Sequence, residues 1–355
     1  NTTATNNTAV GHQTLDANTT GAENTAVGND ALSANTTASN NTAVGRKSLL
    51  STTTGHSNTA MGETSAQSVT GSGNTAIGRE AMQLGTGGND NVAVGYQALQ
   101  DCAADNNVGI GRQALTNVTS GASNAGIGYQ VFDALTTGSG NCGLGNAAGT
   151  NLTTGADNVM IGSEAGEDLT EGDNNTAVGR LAGQSLTTGS NNLLLGYLAG
   201  RSGSPETVTT ASNRIVLGND AIDILRCNQA LTVSSDARDK TDVESLTMGL
   251  NFINKLNPVT YRWDKRSFYS KDLSVTPDGT HKKPQLIGGL LAQDVEEIER
   301  EYNYKVEDET NIVTQKGEDG QYSLTYEKFI PILINAVKEL SAQVEELKIK
   351  LNEGE

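Results

Sequence analysis

Asn7-Thr8-Ala9-Val10-Gly11 is the stretch that decides the fold, because the chain repeats it almost unchanged as far as Gly218. Further copies follow at steps of 17 residues, twice shortened to 16, and a degenerate thirteenth copy spans Asn213 to Gly218 after a step of 21. The intervening copies begin at Asn24, Asn41, Asn58, Asn74, Asn91, Asn107, Asn124, Asn141, Asn158, Asn175 and Asn192. Fixed periods of this size are typical of stacked arrays, in which each unit buries its apolar residues against its neighbours. Such an array usually serves as a shaft or a binding surface rather than as a catalytic pocket.

The aligned copies predict a parallel β-solenoid. They share the pattern N-T-A-V-G-x-x-A-L, then about four variable polar residues, then T-T-G-x-x-N. Short alternating stretches bounded by Gly and Asn indicate strands and turns, and each unit is too short for a pair of helices. We therefore predict a mainly β fold, a solenoid or β-roll of about 13 coils with a 17-residue repeat. At one strand spacing per coil the stack would be roughly 60 Å long.

The repeat also predicts the interior of each coil. We expect one branched aliphatic residue from the Val10 column, one alanine and often one leucine inside, with Gly11 and its equivalents at tight or left-handed corners. Asparagines stacked in one column can hydrogen-bond along the rod, as side-chain ladders do in cross-β stacks. Such a small apolar area would leave a lone rod only marginally stable, so we predict that three chains associate around a shared axis.

Composition divides the chain near residues 220–235. Residues 1–226 hold 34 of the 41 glycines but only 26 charged residues, against 39 charged residues in the shorter stretch 227–355. We predict a β-solenoid shaft or tip at 1–225, a junction at 226–234 and an α+β domain at 235–355.

Charge and cysteine usage exclude several classes of function. The net charge of −17 offers no basic patch for nucleic acid and favours solubility. The three cysteines are far apart and the three histidines match no metal-ligand spacing, so we predict no disulfide framework, no metal and no cofactor. Cys102, Cys142 and Cys227 are expected to be buried free thiols. No apolar run approaches the ~18 residues that a membrane span needs, so no membrane insertion is predicted.

The chain ends in a helix, predicted at 329–352, with a heptad seam. Its apolar residues recur at spacings of 4, 3, 4, 3 and 4 residues, flanked by Lys and Glu that suit a solvated outside. The seam consists of Leu333, Val337, Leu340, Val344, Leu347 and Leu351. A single amphipathic helix packed on its own domain is the alternative, but the regular alternation favours a trimeric coiled coil. The polar stretches 265–285 and 300–325 indicate long hairpins or loops.

Two parts of the chain resemble known families. The repeats are similar to the head repeats of trimeric autotransporter adhesins, and closer still to the N-T-A-(V/I)-G-x-x-A-L arrays of phage and bacterial fibre proteins. Residues 232–350 resemble the peptidase S74 family, the intramolecular chaperone at the C-terminus of phage tailspikes, tail fibres and myelin regulatory factors. The motifs are S-D-x-R-x-K from Ser235, L-x-P-V-x-Y-x-W from Leu256 and G-L-x-A-Q-x-V from Gly289.

The S74 resemblance implies trimerisation, assisted folding of the upstream β-structure, and self-cleavage between Ser235 and Asp236 by a dyad of Ser235 and Lys240. A lysine that burial has made neutral can accept the serine proton. Ser235 Oγ cannot attack its own carbonyl, because a strained four-membered ring would form. Attack on the 234–235 bond, attack by another chain's Ser235 and attack by water remain open. Taken alone, the six residues favour a polar linker with a helix N-cap, and the downstream motifs favour the processing site.

Together these features predict a homotrimeric tail fibre of a phage virion that attaches to a glycan or protein receptor on the host surface. Because the chain starts at Asn1 without a methionine or signal peptide, we expect an upstream part that joins other tail proteins. At most a single-turnover Ser-Lys autoprotease is predicted, and no multi-turnover enzyme. A bacterial surface adhesin or fibre with the same module is the alternative, which an anchor or secretion signal upstream would distinguish.

Two further classes are disfavoured. An ice- or crystal-binding solenoid needs a flat threonine array, whereas adjacent threonines such as Thr19 and Thr20 point to opposite faces of a strand. A polysaccharide-degrading tailspike needs two carboxylates in one cleft, whereas the array offers scattered ones such as Asp133, Asp157 and Glu164.

Overall fold

The chain folds into two compact units, residues 1–222 and residues 223–355. The computed structural model describes residues 3–201, 206–222, 224–226, 228, 233–270, 274–317 and 320–353. The first unit is a parallel β-solenoid, and the second is a small α+β unit that ends in a long helix. The fold class predicted for a single chain is confirmed.

Each coil of the solenoid contributes one short strand, which pairs in parallel and in register with the equivalent strand of the next coil. The strands are β1 Thr8–Val10, β2 Thr25–Val27, β3 Thr42–Val44, β4 Thr59–Met61, β5 Thr75–Ile77, β6 Val92–Val94, β7 Val108–Ile110, β8 Ala125–Ile127, β9 Cys142–Leu144, β10 Val159–Ile161, β11 Thr176–Val178, β12 Leu193–Leu195 and β13 Ile215–Leu217. They form one 13-stranded sheet in chain order, as the repeat predicts.

The asparagine column forms a buried ladder of hydrogen bonds, which confirms the predicted stacking. Asn141 is representative: its Oδ1 accepts the backbone N–H of Asn158 at 3.0 Å. Its Nδ2 donates to Asn124 Oδ1 at 3.1 Å and to the Gly155 carbonyl at 2.9 Å. The ladder therefore satisfies backbone groups that would otherwise be unpaired in a dry position.

The last coil departs from the predicted spacing. The backbone N–H of Arg214 donates to Asn192 Oδ1 at 2.9 Å, 22 residues along the chain. Arg214 thus holds the place of the column asparagine, and Asn213 precedes it in a left-handed conformation with φ 61°. The predicted step into this coil, which was counted to Asn213, is therefore one residue too short.

Glycine after each strand is required by the closeness of the coils. Gly28 has φ +137°, and a Cβ on it would lie 2.5 Å from the carbonyl oxygen of Gly45 in the next coil. No side chain fits there, and an L-residue would also be strained at that φ. The left-handed corner predicted from the sequence is confirmed.

The predicted interior is wrong for the aliphatic column. The middle residue of each strand points inward, so Ala26 and Ala43 are fully buried. The Val10 column points outward, with exposed fractions of 58% at Val10 and 48% at both Met61 and Leu144. Alternate residues of a strand face opposite sides, so the first and third residues share the outer surface.

Leucines in left-handed conformation complete the interior. Leu32 and Leu99 both have φ 49° and are fully buried. In the later coils this position is glycine, and a large neighbouring side chain fills the space instead, Phe132 at Gly149 and a strand residue at Gly166 and Gly200. A Cβ on Gly166 would lie 2.3 Å from Met160 Sδ, and one on Gly200 would lie 3.0 Å from Leu194 Cδ1. At these coils the core is thus filled by a different residue of the repeat.

The C-terminal unit combines three helices with two antiparallel strand pairs among its described residues. Its elements are α1 Leu250–Lys255, β14 Val259–Tyr261, β15 Ile287–Gly289, α2 Ala292–Glu301, β16 Thr314–Lys316, β17 Tyr322–Leu324 and α3 Phe329–Glu353, with 3₁₀ turns at Ala237–Asp239, Arg266–Phe268 and Tyr326–Lys328. β14 pairs with β15, and β16 pairs with β17. The long polar stretches lie in or beside these hairpins, which confirms that prediction.

The core of this unit surrounds Phe252 of α1. The Phe252 ring meets the edge of Tyr302 at a centroid distance of 5.7 Å and lies 6.5 Å from Phe329. Val295 and Ile332 are buried in the same cluster. The N-terminal part of α3 therefore packs against α1 and α2.

A buried carboxylate joins α2 to the strand that follows it. Glu299 is fully buried and accepts the backbone N–H groups of Ile312, Val313 and Thr314 at 2.9, 2.7 and 3.1 Å. Hydrogen bonds from backbone donors can stabilise a buried carboxylate. This contact fixes the start of β16 against α2.

Candidate processing site and assembly surfaces

The predicted cleavage point lies at the start of a single 3₁₀ turn. Asp236 caps this turn: its carboxylate accepts the backbone N–H of Arg238 at 2.9 Å and pairs with the Arg238 guanidinium at 2.6 Å. The hydrogen bond from the Arg238 side chain, and then that from its N–H, lower the pKa of Asp236. The N-cap that the six residues suggest is therefore present, on Asp236.

The same turn brings Lys240 back to Ser235. Lys240 Nζ donates a hydrogen bond to Ser235 Oγ at 2.6 Å, and both side chains are exposed. A base must be within this distance of the hydroxyl whose proton it takes. Exposure leaves the lysine hydrated, whereas a neutral lysine needs water to be excluded. The single chain thus assembles the pair without enclosing it.

Helix α3 carries two separate apolar faces. Phe329, Ile332 and Ala336 are buried against the C-terminal unit. The predicted seam is exposed, from 43% at Val344 to 72% at Leu351. Its other members, also exposed, are Leu333, Val337, Leu340 and Leu347. Among the described residues the seam has no partner on its own domain, so it is available to another helix.

Polar contacts anchor the first turns of α3, and the sequence did not predict them. Asn335 Nδ2 donates to the carbonyls of Leu246 and Met248 at 3.0 and 3.2 Å. Glu339 accepts the backbone N–H of Leu250 at 2.7 Å. The partners are almost ninety residues apart, so no local pattern connects them. These contacts hold the helix while its seam stays outside.

The solenoid has a largely apolar surface of its own, formed by the first and third residues of β1 to β13 and called here the outer strand face. None of the residues in these two positions is Asp, Glu, Lys or Arg, although charged side chains occur throughout the rest of the solenoid. Every residue in the third position is Val, Ile, Leu or Met. Sequence reasoning missed this surface, although the exclusion of charge from both columns was a usable signal.

The thiols and possible metal ligands are placed as follows. Cys102 is buried as predicted, but Cys142 is exposed on the outer strand face, and Cys227 lies outside the described residues. The described part of the chain contains no group of three or more His, Cys, Asp or Glu side chains that could hold a metal ion. No described helix is both long and apolar enough to cross a membrane.

Comparison with known families gives a match in the C-terminal unit. Residues 235–307 match the peptidase S74 model, described as chaperone of endosialidase. The match begins at Ser235 and includes all three motifs quoted above. No curated protein and no solved structure matches the chain. The chain therefore carries an S74 chaperone domain C-terminal to a β-solenoid.

Proposed function

We propose that this chain is one subunit of a homotrimeric tail fibre of a phage virion. The solenoid attaches to a receptor on the host surface, and the C-terminal unit drives trimerisation and then cleaves itself off. The observation that carries the proposal is the outer strand face, which is uncharged along all thirteen coils and has an apolar side chain in the third position of every strand. Large contiguous apolar patches on soluble proteins mark interaction sites.

The dimensions of the outer strand face suit association along its whole length. Thirteen strands at one strand spacing give a length of about 58 Å, and the three positions of each strand give a width of roughly 10 Å. The area of roughly 600 Å² equals that of the largest patches on typical monomers. Parallel copies in register would cover it, with equivalent coils at equal heights.

The exposed seam of α3 supports assembly at the other end of the chain. A parallel coiled coil would hold the C-terminal units of all chains at one level. Valine alternates with leucine over Val337–Leu347, a pattern that also occurs in two-stranded coiled coils. The number three therefore rests on the S74 domain.

A C-terminal clamp would prevent the solenoid chains from associating out of register. Identical coils that stack in parallel allow two chains to associate one or more coils out of register, and register is weakly specified where neighbouring strands are alike. Chains held level by their C-terminal units start in register. Cleavage afterwards removes the clamp and leaves a fibre whose stability is kinetic.

The contact between Lys240 and Ser235 supports the cleavage step. In the proposal, assembly excludes water from Lys240, which then takes the proton from Ser235 Oγ. Hydrolysis of the bond consumes one water, leaving a carboxylate on Ser235 and an amino group on Asp236. Mass identifies attack on the 234–235 bond by its different fragments, whereas attack in trans on a neighbouring chain and direct attack by water give the same fragments.

The test is the intact mass and the native mass of the purified wild type, Ser235→Ala and Lys240→Ala. A wild-type trimer cut between Ser235 and Asp236, with both variants trimeric and uncut, is the expected result. Ser234→Ala is the matched control and should be cut like the wild type. An uncut wild-type trimer would remove the protease and keep the chaperone, and a monomer or dimer would overturn the trimeric fibre.

A further inference from the structure

A ladder of aromatic and cationic side chains runs along the solenoid in the column that follows the corner glycine. In four consecutive coils this column holds Arg79, Tyr96, Arg112 and Tyr129. The Arg79 guanidinium lies 4.9 Å from the centroid of the Tyr96 ring. The Arg112 guanidinium lies 5.9 Å from the Tyr96 ring and 5.5 Å from the Tyr129 ring. Planar groups of alternating type thus stand at each coil within cation–π distance.

The placement of these residues is selective. All three tyrosines of residues 1–222 stand in this one column, and so do four of the seven Lys and Arg side chains in that range. The pair recurs four coils on, where Arg180 lies 5.9 Å from the Tyr197 ring. Side chains that only keep a surface soluble would be expected at many exposed positions and not in a single column.

A second ladder of amides lies beside the first, at the next residue of each coil. Gln130 Nε2 donates to Gln113 Oε1 at 3.4 Å, and Gln113 Nε2 donates to Gln97 Oε1 at 3.4 Å. Gln97 Nε2 donates in turn to Glu80 Oε2 at 2.9 Å. Rings, guanidinium groups and amides therefore line one surface, called here the Arg-Tyr ladder, over residues 79–130.

Two features of the Arg-Tyr ladder point to an acidic ligand. Arg46 and Arg79, in the same column, are neutralised by Glu63 and Glu80. Arg112 forms no ion pair with any described residue, although the solenoid around it is acidic. A guanidinium presents paired N–H donors that match a carboxylate. Tyr129 is 39% exposed, so part of its side chain is accessible to a ligand beside that charge.

The spacing indicates a ligand that repeats along its length. Tyr96 and Tyr129 are two coils apart, about 9.6 Å at the strand spacing, which is close to the length of an extended disaccharide unit. Amphipathic rings suit the apolar faces of sugars, while amide and guanidinium N–H groups suit their hydroxyl and carboxylate oxygens. A folded protein receptor has no such translational repeat.

From this geometry we propose that an acidic polysaccharide lies along residues 79–130 of the solenoid. One sugar of each disaccharide unit packs against the accessible edge of Tyr96 or against Tyr129, and a carboxylate of the chain pairs with Arg112. The inference rests on the proposed function, since it identifies the chemical class of the receptor. It also predicts that the Arg-Tyr ladder stays outside the contacts between subunits.

The experiment measures binding of two polysaccharide probes to the assembled full-length protein by calorimetry. The acidic probe is a hyaluronan oligosaccharide, whose sugars alternate with glucuronate, and the neutral probe is a cello-oligosaccharide of equal length. We expect binding of the acidic probe, and a loss of about tenfold in affinity for Tyr129→Ala and for Arg112→Gln. Asn146→Ala, in the same column one coil beyond Tyr129, is the matched control and should bind like the wild type.

Each other outcome overturns the inference. Equal binding of both probes would show that Arg112 does not recognise a carboxylate. Unchanged affinity in both variants would show that the Arg-Tyr ladder is not the binding site. No binding of either probe removes the polysaccharide. A native mass that falls to the monomer in Tyr129→Ala makes the ladder a contact between subunits. Attachment of the labelled protein to bacterial cells is measured separately. If both variants still attach to cells as the wild type does, this inference is wrong and the proposed function stands.

Discussion

The carboxylate of Glu339 in α3 accepts a hydrogen bond from the backbone N–H of Leu250, the first residue of α1, at 2.7 Å. N–H groups in the first turn of a helix have no partner within the helix, and a negative charge there is favourable. Gly249 leaves room for this contact, because a Cβ on it would lie 2.1 Å from Glu339 Oε1. One side chain therefore links the two ends of the C-terminal unit.

Replacement of Glu339 by alanine should lower the free energy of unfolding of the C-terminal unit by about 1 kcal/mol, since the bond is charged but exposed. Glu339→Gln keeps an acceptor oxygen and should lose less. Urea unfolding followed by the fluorescence of Trp263, the only tryptophan, measures both. Glu345→Ala, which breaks only an exposed pair with Lys348, should change little, and an equal loss there would contradict the role of Glu339.

Met160 occupies the space that a leucine at position 166 would fill, so a double variant should recover stability that each single variant loses. Met160→Ala empties buried space and should cost about 2–4 kcal/mol. Gly166→Leu alone should also destabilise, because its Cβ would meet Met160 Sδ. The double variant restores the pattern of Ala26 and Leu32, where leucine accepts φ 49°. Its melting temperature by circular dichroism should exceed that of both single variants, and additive losses would contradict this prediction.

The sequence predicted the solenoid well because one short phrase specifies strand, corner and ladder together. It predicted the inside of the coil poorly. Valine is more apolar than alanine, so polarity alone predicts the Val10 column in the interior of the coil. Thr8 and Val10, however, must share one face of a three-residue strand. Where the buried leucine is present, the interior has room only for a small strand residue, and the large Met160 and Leu194 occur where that leucine is replaced by glycine. Burial offsets the cost of a left-handed leucine such as Leu32, which no local propensity indicates.

The candidate site was predictable in part for similar reasons. Ser235 and Lys240 are close in the sequence, so one turn brings them together, and the motif places both. Their role in cleavage stays a prediction. The seam of α3 follows from its heptad spacing, which is local. Its anchors Asn335 and Glu339 contact residues almost ninety positions away, and a single sequence contains no signal for such pairs.

The asparagine ladder should contribute strongly to the stability of the solenoid. Asn141→Ala leaves the N–H of Asn158 and the carbonyl of Gly155 unpaired in a buried position, at a cost of about 2–5 kcal/mol in total. Thermal unfolding by circular dichroism measures the loss. Asn151→Ala, at an exposed position outside the ladder, is the control. Equal melting temperatures for the two variants would show that the ladder is not a stabilising element.

Cys142 provides a native probe of the outer strand face. Its thiol is exposed in the single chain, between Ala125 and Val159 of the neighbouring strands. If that face joins the subunits, alkylation of Cys142 in the assembled protein should be slower by roughly tenfold or more than in an open site. A cysteine introduced at exposed Thr54, outside the strands, supplies the open reference.

Cys102 supplies the closed reference in the same experiment, because burial raises the pKa of its thiol and shields it from the reagent. Mass spectrometry after timed alkylation assigns each rate to its cysteine. Under denaturation Cys102, Cys142 and the Thr54→Cys thiol should react at similar rates, which shows that protection comes from the fold. A trimer by native mass in which Cys142 reacts as fast as the Thr54→Cys thiol would place the contact between subunits elsewhere, and the outer strand face would then need another partner.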